Sequence, residues 1–199
     1  MKTLFLALAL ISVSLVSCAQ DITLPAAQRS GGMPLMEALN NRKSTRQFDE
    51  NKKLTNQQLA DLLWSACGYN REDKLTIPTA LNRQEITVYA IMPDGVYRYD
   101  ARNNALVLIT DQDLRHLAGA QEFAQKALLN IAIVSDKSKM EHDIYAGVAA
   151  GAVMQNIYLW CASNGIGTVA RGNFDGEALA KAMNLDENQR VLLVQTVGY

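Results

Sequence analysis

Between positions 42 and 48 the chain reads Arg-Lys-Ser-Thr-Arg-Gln-Phe, and this run holds the residues best suited to gripping an anion. Arg42 and Arg46 offer planar paired N–H donors, Lys43 adds a point charge, and the Ser44 hydroxyl adds a short hydrogen bond. Together they can hold a phosphate. From charge alone, a solvated basic turn is the commoner origin of such a run. Gly165-Ile166-Gly167-Thr168-Val169-Ala170 matches the G-x-G-x-x-A string of dinucleotide folds. That fingerprint must follow a strand and open a helix, whereas here it follows a long helical stretch. No G-x-x-x-x-G-K-[ST] string occurs, which excludes a P-loop.

Glu141-His142-Asp143 has metal-ligating side chains, but an acidic helix start facing the helix dipole accounts for the same residues. His116 reads as a surface histidine. Cys67 and Cys161 fall on separate predicted helices without a C-x-x-C spacing and read as buried thiols. Neither a Ser-His-Asp arrangement nor a nucleophile elbow is present. The chain therefore offers no metal site and no nucleophile of its own.

These residues need a scaffold, and 199 residues at 21.9 kDa suit one domain with a substantial core. Hydrophobic residues at 49% and charged residues at 20% argue against extensive disorder. Nineteen basic side chains against twenty acidic ones argue against a non-specific nucleic-acid binder. Pro34 opens a short helix to about Asn41, and the Thr55/Gln58 capping box opens a second that Gly68 ends. Asn70 to Gln84 reads as a long loop, of a length that often carries function. Ile86–Met92 and Val96–Tyr99 form a hairpin across Pro93-Asp94-Gly95, with Ala105–Ile109 as a third strand. Helices over 111–118 and 121–128, a strand over 130–135, a long helix over 143–164, a helix over 176–183 and a strand over 191–197 follow. Strands and helices mix without regular alternation, so the fold class is α+β and layered rather than doubly wound. The small residues of the long helix, Ala146, Gly147, Ala149, Ala150 and Gly151, suit the centre of the domain or of a dimer.

Residues 1–17 read as an export signal: Lys2, then the apolar run Leu4–Val16, then Ser17-Cys18-Ala19-Gln20. Leu15-Val16-Ser17-Cys18 fits a bacterial lipobox, which makes Cys18 the lipidated first residue of a lipoprotein. Ser17-Cys18-Ala19 also fits ordinary signal peptidase and a soluble periplasmic product. We favour the lipoprotein, facing the periplasm from the cell envelope. Residues 18–33, aperiodic and carrying Pro25 and Gly31-Gly32, read as a tether or as an arm on a partner subunit. Residues 34–199 form the domain.

Three segments taken in order resemble the FMN-dependent nitroreductase family, specifically the branch that includes the azoline (thiazoline and oxazoline) dehydrogenases. They are Arg42-x-Ser44-x-Arg46-x-Phe48; Pro78-Thr79-Ala80-Leu81-Asn82-Arg83-Gln84 with the hairpin after it; and Gly151-x-x-x-Gln155-Asn156 followed by Gly165-Ile166-Gly167-Thr168 and Arg171-Gly172-Asn173-Phe174-Asp175. The resemblance implies a mainly antiparallel sheet flanked by helices and a homodimer with FMN in each of two interface clefts. It places Arg42, Lys43, Ser44 and Arg46 on the cofactor's phosphate, ribityl chain and N1/O2 side. Pro78, Thr79, Ala80 and Asn82 would come from the other subunit, and Gly172 would lie near N5. Many members carry an acid where this chain has Arg171, and many add late basic residues where it has Val197-Gly198-Tyr199. Phosphate binding would then rest on Arg42 and Arg46, with Arg171 as a further contributor.

The implied activity is a ping-pong two-electron transfer through the flavin, from a small-molecule donor to a nitroaromatic, quinone or similar acceptor. Azoline-type substrate oxidation and a non-catalytic flavin- or ligand-binding role are the alternatives. An exported protein meets little NAD(P)H, which favours another donor. Mass spectrometry of the protein from its native membrane is expected to find a lipidated Cys18 as the first residue; an unmodified, shorter amino terminus selects the soluble route.

Overall fold

The computed structural model describes residues 20–199, so the expected export signal and Cys18 lie outside the described residues. Seven strands make one sheet: β1 (Ile22–Thr23), β4 (Ile86–Met92), β5 (Gly95–Asp100), β6 (Ala105–Thr110), β7 (Leu129–Asp136), β8 (Gly167–Arg171) and β9 (Gln189–Gly198). Their order is β1-β6-β5-β4-β7-β9-β8, and every neighbouring pair is antiparallel. Two short strands, β2 (Tyr69–Arg71) and β3 (Lys74–Leu75), pair separately. The helices are α1 (Leu35–Asn41), α2 (Asn56–Cys67), α3 (Glu122–Lys126), α4 (Asp143–Ser163) and α5 (Gly176–Ala182).

Central strand β7 is covered on both faces, which is why its middle, Ile131–Val134, is apolar without alternation. On one face Ile86, Val88, Ile131 and Ile133 pack with Leu62 and Leu63 of α2 and Val153 and Ile157 of α4. On the other, Tyr89, Ile91 and Val134 pack with Leu114, Leu179 and Met183. Helix α2 starts as the spacing predicts: Thr55 Oγ1 accepts the Gln58 N–H, and Gln58 Oε1 accepts the Thr55 N–H at 2.9 Å. Helix α4 buries Ala146, Ala149, Ala150, Val153 and Ile157 but leaves Ile144 73% and Val148 63% exposed. Beside it, α1 packs on α4 and exposes Leu35, Met36 and Leu39.

Several elements differ from the sequence-based expectation. The helix expected at 111–118 is a run of turns, because Asp113 accepts its neighbour's N–H at Arg115 and ties up the guanidinium (2.7 Å to Nη2) instead of propagating a helix. The helix expected at 121–128 shortens to α3, since the chain must enter β7 at Leu129. The loop 70–84 contains β2, β3 and a single tight helical turn at Ala80–Asn82. Strand β8 adds an edge to the sheet that local sequence signals do not announce. Within the 21–33 segment, Ile22 and Thr23 pair with Leu106 and Ala105, so part of the expected arm lies on its own protomer. Replacing fully buried Ile157 by Ala is expected to cost about 2–5 kcal/mol, read as a lowered urea midpoint at unchanged slope.

Candidate functional site

The basic segment after α1 is held against β8. The Thr45 N–H donates to the Thr168 carbonyl at 2.9 Å, which extends the sheet edge by one bond. Tyr158 on α4 then links the two: its hydroxyl lies 2.9 Å from Ser44 Oγ and accepts the Ala170 N–H at 3.0 Å. The Arg42 guanidinium stands 5.1 Å from the Tyr158 ring centre, a cation–π arrangement. Lys43, Thr45, Tyr158, Gly165 and Thr168 border a cleft of about 430 Å³. Among the described residues, Arg42, Lys43 and Arg46 form no ion pair, so their charge is available to a ligand. Arg46 turns the other way, into a neighbouring cleft with Phe48, Phe123 and Lys126.

Strand β8 ends at Arg171, and Gly172 follows. A Cβ built on Gly172 meets nothing within 4 Å, so a ligand could approach this stretch of backbone closely. Arg171 itself is directed into the protein and is 6% exposed. Nη1 donates to the Ala118 carbonyl, and Nη2 donates to Asn130 Oδ1 and Thr196 Oγ1, each at 2.8 Å. Burial pulls this guanidinium down to about 10, still a cation at neutral pH. The structure thus commits Arg171 to internal acceptors, unlike Arg42, Lys43 and Arg46.

The second predicted group, Pro78, Thr79, Ala80 and Asn82, is not brought to this place. Ala80 and Leu81 border a cleft of about 770 Å³ with His142 and Tyr145, at the amino-terminal end of α4. Tyr145 and Tyr158 are thirteen residues apart on that helix, or about 20 Å at its rise per residue. The loop is rigidly set. Leu81, Asn82 and Gln84 all have positive φ, near 50°, a conformation that costs a non-glycine residue roughly 1–2 kcal/mol. Gln84 Nε2 donates to the Asp73 carbonyl at 2.7 Å, Thr79 Oγ1 accepts the Gln84 N–H, and Asn82 Nδ2 donates to the same Asp73 carbonyl. Such strain persists only where the surroundings over-determine it, as functional loops often are.

Sequence reasoning missed Tyr158, which looks like one more core aromatic on an apolar helix, and it missed the Asn130 and Thr196 acceptors on strands. It placed the cysteines correctly: Cys67 and Cys161 are buried free thiols, and burial pushes Cys67 up to about 12 and Cys161 higher still, so neither supplies a thiolate. The described residues contain no cluster of metal ligands.

Comparison with known proteins places this geometry. The model of the nitroreductase family matches residues 39–199. The crystal structure of a Ralstonia eutropha protein named a nitroreductase is 39% identical, with a TM-score of 0.85 over 93% of this chain and 91% of that one. The Escherichia coli microcin synthetase complex has a chain of the same fold, with a TM-score of 0.69 at 18% identity over 100% of this chain and 84% of that one. A Desulfovibrio desulfuricans protein named a nitroreductase and crystallised in complex with FMN gives a TM-score of 0.64 at 19% identity over 84% of this chain and 87% of its own. Replacing Tyr158 by Phe leaves the Ala170 N–H without its partner and is expected to cost about 1–3 kcal/mol in chemical denaturation.

Proposed function

The chain belongs to the nitroreductase family, and we propose that it is an FMN-dependent oxidoreductase whose two cofactor sites are each built from both subunits of a homodimer. The observation that carries this reading is the separation of the two half-sites along α4. Arg42, Lys43 and Ser44 cluster at its Tyr158 end, whereas Ala80 and Leu81 stand by Tyr145. The middle of that span is Gly151, and a Cβ on either Gly151 or Gly147 meets nothing within 4 Å. A two-fold axis passing there would cross two α4 helices at close range. It would cover Ile144 and Val148 and set the basic end of one chain beside the loop of the other.

The residues present fit FMN. Two cations, Arg42 and Lys43, without ion pairs among the described residues and the Ser44 hydroxyl match a phosphate dianion and its ester chain, and the open backbone at Gly172 leaves room for a flat ring. When bound, FMN supplies two-electron transfer at its N5 in two half-reactions, with a donor leaving before the acceptor enters. Arg42, Lys43 and Ser44 would hold the phosphate end, with Arg46 on the far side of the segment; Tyr158 fixes Ser44, and the Pro78–Asn82 loop of the other chain would line the ring. The protein need provide no nucleophile, and both described thiols are protonated. The acceptor is proposed as a nitroaromatic, quinone or similar unsaturated compound, reached in the cell envelope by a protein exported through residues 1–17 and anchored at Cys18. A second reading, oxidation of an azoline-type substrate with later reoxidation of the flavin, draws support from the fold shared with the microcin synthetase chain.

A purified protein with an FMN spectrum that bleaches under a donor and recovers with an acceptor is the expected result; FMN that binds and never turns over selects the binding role. Arg42→Ala is expected to weaken FMN binding by about 1–3 kcal/mol in fluorescence titration, the scale of one charge-assisted hydrogen bond. Val148→Glu is expected to yield monomers in sedimentation and to release FMN with them.

A further inference from the structure

Arg171 is a cation without a counter-ion. All three of its acceptors are neutral, its Nε has no partner, and no carboxylate pairs with it among the described residues. The acceptors are themselves organised: Thr196 Oγ1 donates to Asn130 Oδ1 at 2.6 Å, and Asn130 Nδ2 donates to the Ala124 carbonyl at 2.8 Å. The space for the guanidinium is also built in. A Cβ on Gly119 would run into Nη1, so any larger residue there must displace it.

Taking an unpaired cation out of water is costly, and the same acceptors could be served by a neutral amide without that cost. The charge, rather than the hydrogen bonds, therefore needs a cause. Its place supplies one. The preceding residue, Ala170, is bonded to the Tyr158 hydroxyl that holds Ser44, and the following residue is Gly172 with its open backbone. Arg171 Cζ also lies 5.8 Å from the Phe123 ring centre, and Phe123 borders the cleft that Arg46 lines. The cation thus leaves the chain between these two site positions and is held in protein rather than in water, where a fixed charge is poorly screened.

We propose that Arg171 is an internal electrostatic residue whose fixed charge favours the reduced, anionic form of the bound flavin over the oxidised form and so raises its reduction potential. This rests on the FMN reading above and goes beyond it, because Arg171 then acts on the cofactor's redox balance without gripping its phosphate. A neutral residue at 171 should lose about tenfold in the preference for reduced over oxidised FMN, the scale of one unit charge acting through a few residues of packed protein.

The test is spectroelectrochemical titration of FMN-loaded wild type, Arg171→Gln, Arg171→Lys and Gly119→Ala, with dissociation constants for oxidised and reduced FMN. The expected result is a lower midpoint potential in Arg171→Gln, a potential near wild type in Arg171→Lys, and a smaller fall in Gly119→Ala, where the guanidinium is pushed aside with its charge intact. Should Arg171→Gln fail to fold, the Gly119→Ala and Arg171→Lys pair decides by the same measurement. A neutral variant with the wild-type potential and the wild-type ratio of affinities overturns the proposal and leaves Arg171 a scaffold residue. Wild-type protein that binds no FMN refutes the cofactor assignment instead, and is recognised before any variant is made.

Discussion

Tyr158 places one hydroxyl between Ser44 Oγ and the Ala170 N–H, and that junction joins the amino-terminal basic segment to the strand leading into Gly172. Without it, the two cations Arg42 and Lys43 and the Ser44 hydroxyl would be held to β8 by the Thr45–Thr168 bond alone. With it, they are fixed against β8 by a residue whose own position is set by α4. The same helix carries Tyr145, about 20 Å away, beside the strained loop at Ala80 and Leu81. A rigid helix thus holds the two groups of site residues apart within one chain. In the proposed homodimer a second copy brings them together.

Surface composition points to the same conclusion. Leu35, Met36 and Leu39 of α1 and Ile144, Tyr145 and Val148 of α4 are exposed on two helices packed against each other. An apolar surface spread over adjoining helices is what the proposed homodimer would cover. Gly147 and Gly151 lie on the same helix and would let two backbones come close. Behind the site, Arg171, Asn130 and Thr196 form a buried polar network in which every hydrogen bond is 2.6–2.8 Å long. Such a network fixes β7, β8 and β9 relative to one another, so the wall of the site is stiff where the basic segment is exposed.

Where one residue type does one physical job, the sequence is readable. The Thr55/Gln58 box marks the start of α2, and the apolar run Ile131–Val134 marks β7 as a strand covered on both faces. The Arg-x-Ser-x-Arg spacing is ambiguous by itself, since its charge also fits a solvated basic turn, and it gains meaning only in order with the other two segments. Legibility fails where tertiary contacts outweigh local signals. Residues 111–118 have helical spacing, but Asp113 and Arg115 satisfy each other and cap the turn instead. Strand β8 is short and begins with a glycine, so only its pairing with β9 defines it. Arg171 reads as a third phosphate ligand because its charge is visible in sequence and its burial is not. Tyr158 carries no signal, since an aromatic on an apolar helix is ordinarily core.

The claim that each site draws on two chains can be tested by complementation. Arg42→Ala damages one half-site and Ala80→Arg obstructs the other, and each homodimer should bind FMN weakly. Unfolded together and refolded as a mixture, the two variants form heterodimers in which one of the two clefts has both halves intact. The account predicts that this mixed dimer binds one FMN with wild-type affinity. Mixed dimers that bind no better than either parent would show that both half-sites serve the same chain, and would contradict it.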